Sequence, residues 1–239
     1  MADFYHIWVY LSASPLLHLA ATLLAYQVGD VLYKRANYHP LANPLLFSIG
    51  FLVLLLWITD TSYKTYFDGA QFVHFLLGPA TVALAVPLYR AYSHIRQSMA
   101  AIGSALIFGC CIAVISVTGL AYMLGASQLT LLSLAPKSVT TPIAMAIASE
   151  IGGTPSLAAV FVILTGIIGA IVAVPVLDFM RVSDQRARGF ATGLTAHGMG
   201  TAIMLRSNEL AGAFAGLAMS LNGLASSILV PLLMHFWKL

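Results

Sequence analysis

Residues 134–153 read LAPKSVTTPIAMAIASEIGG. Between Pro136 and Pro142 they place a lysine, a serine and two threonines, in a chain that is 60% hydrophobic and only 8% charged. Soluble domains carry about 25% charged residues. The mean hydropathy of +0.91 points the same way, to an integral membrane protein. A continuous membrane helix has no use for two prolines and four polar residues within seven positions, so this stretch reads as a break. Unwound backbone at membrane depth is tolerated only where protein buries it or water reaches it. The stretch therefore announces a site.

Its local chemistry follows from the residues. Pro142 suits the first turn of a helix, where its missing N–H costs nothing. It pushes Thr141 out of helical geometry, and Thr141 is then expected to cap the helix through its hydroxyl. The short helix runs through Ile143, Ala144, Ile147 and Ala148 and stops at Gly152-Gly153. Ten residues at 1.5 Å each give roughly 15 Å, half a bilayer. Upstream, Leu129–Ala135 forms a second short arm. The N-terminus of the returning helix carries partial positive charge. Lys137 adds a full one, and Ser138, Thr140 and Thr141 add hydroxyls, with Val139 and Pro142 completing the link. A small anion such as a carboxylate fits that donor set.

Working outward, uncharged runs of about 20 residues mark spans. The run 4–29 holds the first, placed at about 15–33, and the others fall at 41–59, 69–89, 99–124, 151–177, 189–205 and 210–237. The fold class is thus an all-α polytopic membrane protein with about 6–8 transmembrane segments, two of them broken or re-entrant. Cytoplasmic loops gather Lys and Arg. With the N-terminus outside and 134–153 entering and returning on one side, Lys34, Arg35, Arg90, Arg96, Arg181, Arg186 and Arg188 all fall inside. If 134–153 crossed instead, the last three would land outside. The charge pattern favours re-entry.

The segment RGFATGLTAHGMGTA (188–202) has the same character as the first break. Its glycines, Gly198 and Gly200 among them, allow helix breaks and close approach. Thr195 and Thr201 supply hydroxyls, and His197 is a candidate substrate ligand or proton relay. A plainer reading has His197 bonded to a carbonyl within a tightly packed helix. Asn222, in the last span, either bonds a neighbouring helix or touches substrate. Two interrupted segments in one small membrane protein are the best sequence pointer to a transport site. Glu150, at the end of the short helix, is more naturally solvated than coupling. Asp30, His18 and His74 read as internally satisfied polar residues.

Several classes are excluded or disfavoured. The net charge of +3 does not suggest nucleic acid. Adjacent Cys110 and Cys111 are a poor disulfide pair and no metal framework. The histidines show no metal-ligand spacing. No catalytic residue, cofactor or metal is expected. A rhomboid-like Ser127–His197 pair is disfavoured by the bulky Gln128. The whole chain, 1–239, reads as one integral membrane domain. Weak echoes at 14–29 and 154–169, and at 86–88 and 230–232, suggest repeat halves at 12–97 and 152–239. The N-terminal apolar stretch is expected to stay as the first span rather than be cleaved.

LAPKSVTTPIAMAIASEIGGTPSLAAVFVILTGIIGA, ARGFATGLTAHGMGTA, GAFAGLAMSLNG and LLGPATVALAVPLY together resemble the LrgB/CidB family, over about Pro15–Leu233. The resemblance implies a multi-pass protein of the bacterial inner membrane. It carries two roles. One is antiholin-like or holin-like action with a small LrgA/CidA-type membrane partner, controlling murein hydrolases and lysis. The other is transport of small monocarboxylates, because the plant relative is similar to a fused LrgA–LrgB protein exchanging glycolate and glycerate, and bacterial relatives are tied to pyruvate uptake. This resemblance implies that the PKSVTTP and AHGMGT residues form the site, Thr195 keeps a hydroxyl in its neighbourhood, and Ala146 stands where the family often has an acidic residue. The expected partners are a small organic anion, membrane lipid and a second copy of the chain in a homodimer.

Overall fold

A computed structural model describes residues 15–37, 42–76, 79, 82, 83 and 85–236. The regular elements it describes are all helices. Their contacts gather into two compact units, Met1–Ala83 and Leu84–Leu239. Among the described residues four helices are long and apolar enough to cross a membrane, and the chain is a polytopic all-α membrane protein.

The first unit holds α1 (Pro15–Arg35), α2 (Pro44–Ile58) and α3 (Tyr63–Phe75). Asn43 caps α2 by accepting from the Leu45 N–H at 2.8 Å. The two polar residues expected to be satisfied inside α1 have partners. Asp30 pairs with Lys34 one turn on, at 2.6 Å, and His18 stacks edge-on to Tyr66. His74 and the centre of the expected third span lie outside the described side chains and residues.

The second unit carries the candidate site. After α4 (Ala85–Arg90) and α5 (Tyr92–Gln97) come α6 (Met99–Met123), α7 (Gln128–Leu134), α8 (Thr141–Ile151), α9 (Pro155–Phe179), α10 (Gln185–Ser207) and α11 (Glu209–Phe236). The helices α6 and α11 run in the same direction: Ile102 packs with Ala218, and Cys110 meets Ser226 at 3.4 Å. Between α6 and α9 the chain makes a hairpin. The Thr154 N–H donates to the Ser133 hydroxyl at 2.8 Å, so the segment that leaves at Ser133 comes back to it. Gly152 ends α8 with φ +89, a left-handed turn that a side chain would strain. The 134–153 stretch therefore returns to its own end of the molecule rather than crossing.

The α10 segment does the same from the other end. At His197 the backbone leaves helical geometry, with φ 42 and ψ −129. Beyond it the chain folds back. Gly200 lies so close to Thr192, eight residues earlier, that an added Cβ would stand 2.7 Å from the Thr192 carbonyl. In a straight helix those positions are roughly 12 Å apart. The arm 185–196 runs parallel to α11, Gly189 beside Ala211 and Gly193 beside Ala215. The arm 198–207 runs antiparallel to it, Leu205 against Gly212 and Thr201 near Met219. Gly189 and Gly193 are required here, because a Cβ on either would overlap the backbone carbonyl of α11. The α10 segment is thus a re-entrant hairpin, a point that the Lys and Arg pattern leaves open for 189–205.

One end of this unit gathers Ser98, Asp178, Asp184, Arg186 and Arg188. Arg90 and Glu209 form an ion pair of 2.8 Å at the feet of α4 and α11. The opposite end gathers Tyr122, Gln128, Glu150 and His235. The core between the hairpins is Val114, Val139, Ala144, Ile147, Val162 and Val230.

Candidate functional site

A cleft of about 720 Å³ opens beside α6 and the first arm of α10. It begins at Ser98, Asp184 and Arg186 and ends at Ser116, Thr195 and Lys137. Ser98 and Ser116 are 18 residues apart, so along α6 the cleft extends roughly 27 Å. Its walls are Ile102, Gly109, Ile112, Phe190, Leu194 and Phe214. An apolar channel with few convergent polar groups is the usual form of a small-molecule site.

The cation at the deep end is held by the first break. The link 135–140 is made of tight turns, Lys137 N–H to Leu134 C=O at 3.1 Å and Val139 N–H to Pro136 C=O at 3.4 Å. The Lys137 ammonium donates to the Ser138 hydroxyl at 3.1 Å. Among the described residues no carboxylate lies within ion-pair distance of it. Burying a cation away from water is costly unless something compensates, so this ammonium favours an anion in the cleft. The helix beyond begins at Thr141, one residue earlier than Pro142. The cap residue is Thr140, with extended φ −69 and ψ 151, and no hydroxyl cap bond is made. The cap expected from the Thr141 hydroxyl is thus absent: Thr141 is itself helical, so the capping position falls one residue earlier, at Thr140. The first helical bond runs from Ala144 N–H to Thr140 C=O at 2.9 Å, which leaves the Ile143 N–H without an intrahelical acceptor.

The sequence-expected residues take different places. Lys137 and Thr195 line the cleft. Ser138, Val139, Thr140, Thr141 and Pro142 form the link and the start of α8 behind it, with Val139 buried in the core. Thr195 faces the cleft while donating to its own helix, to Ala191 C=O at 2.8 Å. His197 turns away: its Nε2 meets the Val162 carbonyl of α9 at 3.1 Å, the plainer of the two sequence readings. It packs on Gly166. Thr201 is buried and donates to the His197 carbonyl at 2.8 Å, tying down the turn. Gly198 is exposed and Gly200 is the fold-back contact. Asn222 is 1% exposed, and its amide donates to Ser138 C=O and Leu194 C=O, both at 3.0 Å. Its Oδ1 accepts from the Ser226 hydroxyl at 3.2 Å. Asn222 therefore braces both broken segments against α11.

Sequence reasoning missed Ser116, Gly109, Asp184 and Arg186 as cleft residues. The first two sit in an uninterrupted apolar helix with no local signal. Arg186 entered only as loop charge, and Asp184 not at all. In the structure the Asp184 carboxylate accepts from the Arg186 backbone at 2.8 Å and pairs with its guanidinium at 2.7 Å. The Arg186 side chain first, then its backbone N–H, hold the Asp184 carboxyl down at about 2. Among the described residues no group of three His, Cys, Asp or Glu side chains is placed to hold a metal ion.

Residues 22–236 match the profile of the LrgB-like family, and the chain belongs to that family. It is 34% identical to the uncharacterized protein YwbG of Bacillus subtilis over 91% of this chain and 96% of that one. It is 34% identical to the uncharacterized protein YxaC of the same organism, over 91% and 94%. It is 29% identical to the antiholin-like protein LrgB of Bacillus cereus, over 93% and 97%. No solved structure matches it.

Proposed function

We propose that this LrgB-family chain is a secondary transporter of small monocarboxylates of the glycolate, glycerate or pyruvate type, working by alternating access in the bacterial inner membrane. One observation carries the reading: the Lys137 ammonium stands at the deep end of a 720 Å³ cleft with no carboxylate partner among the described residues. A lone cation in an apolar channel selects one negative charge. A second anionic group on the substrate has no matching cation nearby, since the next one, Arg186, is nine residues up the α10 arm from Thr195, about 13 Å. Two broken hairpins converging at mid-molecule are the form such sites take in transporters. The chain pairs as a homodimer, with an LrgA/CidA-type membrane protein as a further partner.

The name borne by the Bacillus cereus relatives favours a second reading, an antiholin-like regulator of murein hydrolase activity and lysis. Flux separates the two. Purified protein in liposomes is expected to give saturable uptake of radiolabelled glycolate, glycerate or pyruvate. Lys137→Ala is expected to lower it about 100-fold while leaving thermal unfolding in detergent within a few degrees. Non-saturable solute leak, unchanged by Lys137→Ala, would sink the transporter reading and leave the second.

A further inference from the structure

The two hairpins are not merely alike. Each is followed directly by a crossing helix, and the two pairs run in opposite senses. Residues 127–180 enter from the Gln128 end, return, and cross as α9; residues 183–236 enter from the Arg186 end, return, and cross as α11. Laid over each other without a gap, they share their marks. Val174-Pro175 falls on Val230-Pro231, Leu177 on Leu233, and Ala146-Ile147 on Ala202-Ile203. The two breaks adjoin in the overlay: the first link ends at Thr140, and Thr141-Pro142, which opens the next helix, falls on His197-Gly198.

The contacts repeat crosswise. The tip of the second hairpin, His197, bonds Val162 and packs on Gly166 of the first half's crossing helix. The tip of the first hairpin is bonded at Ser138 by Asn222 of the second half's crossing helix. In the same overlay Gly166 falls on Asn222.

A cavity of about 550 Å³ lies at the opposite end of the unit from the cleft mouth. Two of the residues lining it, Gln128 and Leu131, fall in the overlay on Asp184 and Ala187, which line the cleft. Tyr122, at the far end of α6, also lines this cavity, while Ser98 and Ala101 at the near end line the cleft. Val139, Ala144, Ile147 and Val230 form a buried cluster against which the cavity residues Leu132 and Ile151 pack, and Val139 belongs to the link that carries Lys137.

We propose that 127–180 and 183–236 are an inverted-topology repeat, and that the cavity lined by Gln128, Leu131 and Glu150 is the second entrance to the Lys137 site for the same small carboxylate. This rests on the transport reading for its ligand, not for its geometry. Two halves related by inversion have two arrangements of equal kind: exchanging them closes the cleft at Arg186 and opens the cavity at Gln128. The cluster around Val139 and Ile147 is then the closed gate of the arrangement described here.

The test reads access from each face. Ser116→Cys, with Cys110→Ala and Cys111→Ala, is placed in liposomes of known orientation and treated with a membrane-impermeant thiol reagent; Thr195→Cys is a second reporter. Both are expected to react quickly from the Arg186 face and several-fold more slowly from the other. A wedge at the cleft, Ala187→Trp, is expected to lower the slow rate several-fold. Its counterpart, Gln128→Trp, is expected to raise it several-fold and slow the fast one. Labelling from the Arg186 face alone in every variant overturns the second entrance. Equal labelling from both faces, indifferent to either wedge, overturns alternation in favour of a static pore. Flux of glycolate is scored separately: its absence alongside wedge-dependent labelling removes the ligand and keeps the repeat.

Discussion

Asn222 donates to the carbonyl of Leu194 at 3.0 Å, three residues before the α10 helix breaks at His197. In an unbroken helix that carbonyl would take the N–H of Gly198, which lies beyond the kink. The other N–H of the same amide satisfies Ser138 in the first break. One buried side chain thus replaces hydrogen bonds that two interrupted helices have given up.

Replacing it should be costly. Asn222→Ala removes two donors and leaves two buried carbonyls without partners, at about 1–3 kcal/mol for each unsatisfied group. Asn222→Asp keeps the shape but loses the donors. Both are expected to lower the thermal midpoint in detergent by several degrees or more, and Asn222→Gln to recover part of the loss. Wild-type stability in Asn222→Ala would show that the brace is idle.

His197 sets two effects against each other. Its φ of 42 is a strained setting for a residue with a Cβ, worth of order 1–3 kcal/mol. Its ring bond to Val162 acts the other way. His197→Ala loses the bond and keeps the strain. His197→Gly loses the bond and relieves the strain, so it is expected to be the more stable of the two by about 1 kcal/mol, read from chemical unfolding. The reverse order would contradict the kinked backbone.

The glycines of α10 are expected to divide sharply. In Gly193→Ala the new methyl overlaps the Ala215 carbonyl of α11, a backbone atom that cannot swing aside. Folded yield should collapse, or stability fall by more than about 3 kcal/mol. In Gly198→Ala the nearest atom is the Met219 sulfur at 3.9 Å, ordinary contact. That variant should express and unfold like wild type. Yields measured side by side by size-exclusion chromatography check the contrast.

Asp184 gives the pH dependence at the cleft mouth. Its carboxyl is held at about 2 by Arg186, below the ordinary value near 3.9. A depressed carboxyl contributes stability above about pH 4 and loses it as pH falls through 2. The pair is partly exposed, so solvent screening keeps this contribution small. Arg186→Gln should return the carboxyl toward the ordinary range, seen by carboxyl NMR titration. No movement would mean that the guanidinium is not the cause.

The run PKSVTTP marked the first break because two prolines and four polar residues have no place in a lipid-facing helix. The short helix ending at Gly152 was legible for the same local reasons, although its cap was misplaced by one residue. Lys137 was legible as a candidate for the cleft that it lines because a charge is rare in so apolar a chain. The fold-back at His197 was not, since no proline marks it and a glycine-rich stretch is equally a tight straight packing face.

By itself the sequence determined that this is a helical membrane protein broken at two places, because composition and backbone chemistry are local properties. Only the tertiary structure decided which polar residues meet the cleft and which hold it together. Asn222, His197 and Thr201 look like ligands in one dimension. In the structure each bonds a backbone carbonyl, and for Asn222 and His197 which carbonyls those are depends on helices far apart in the chain being brought side by side.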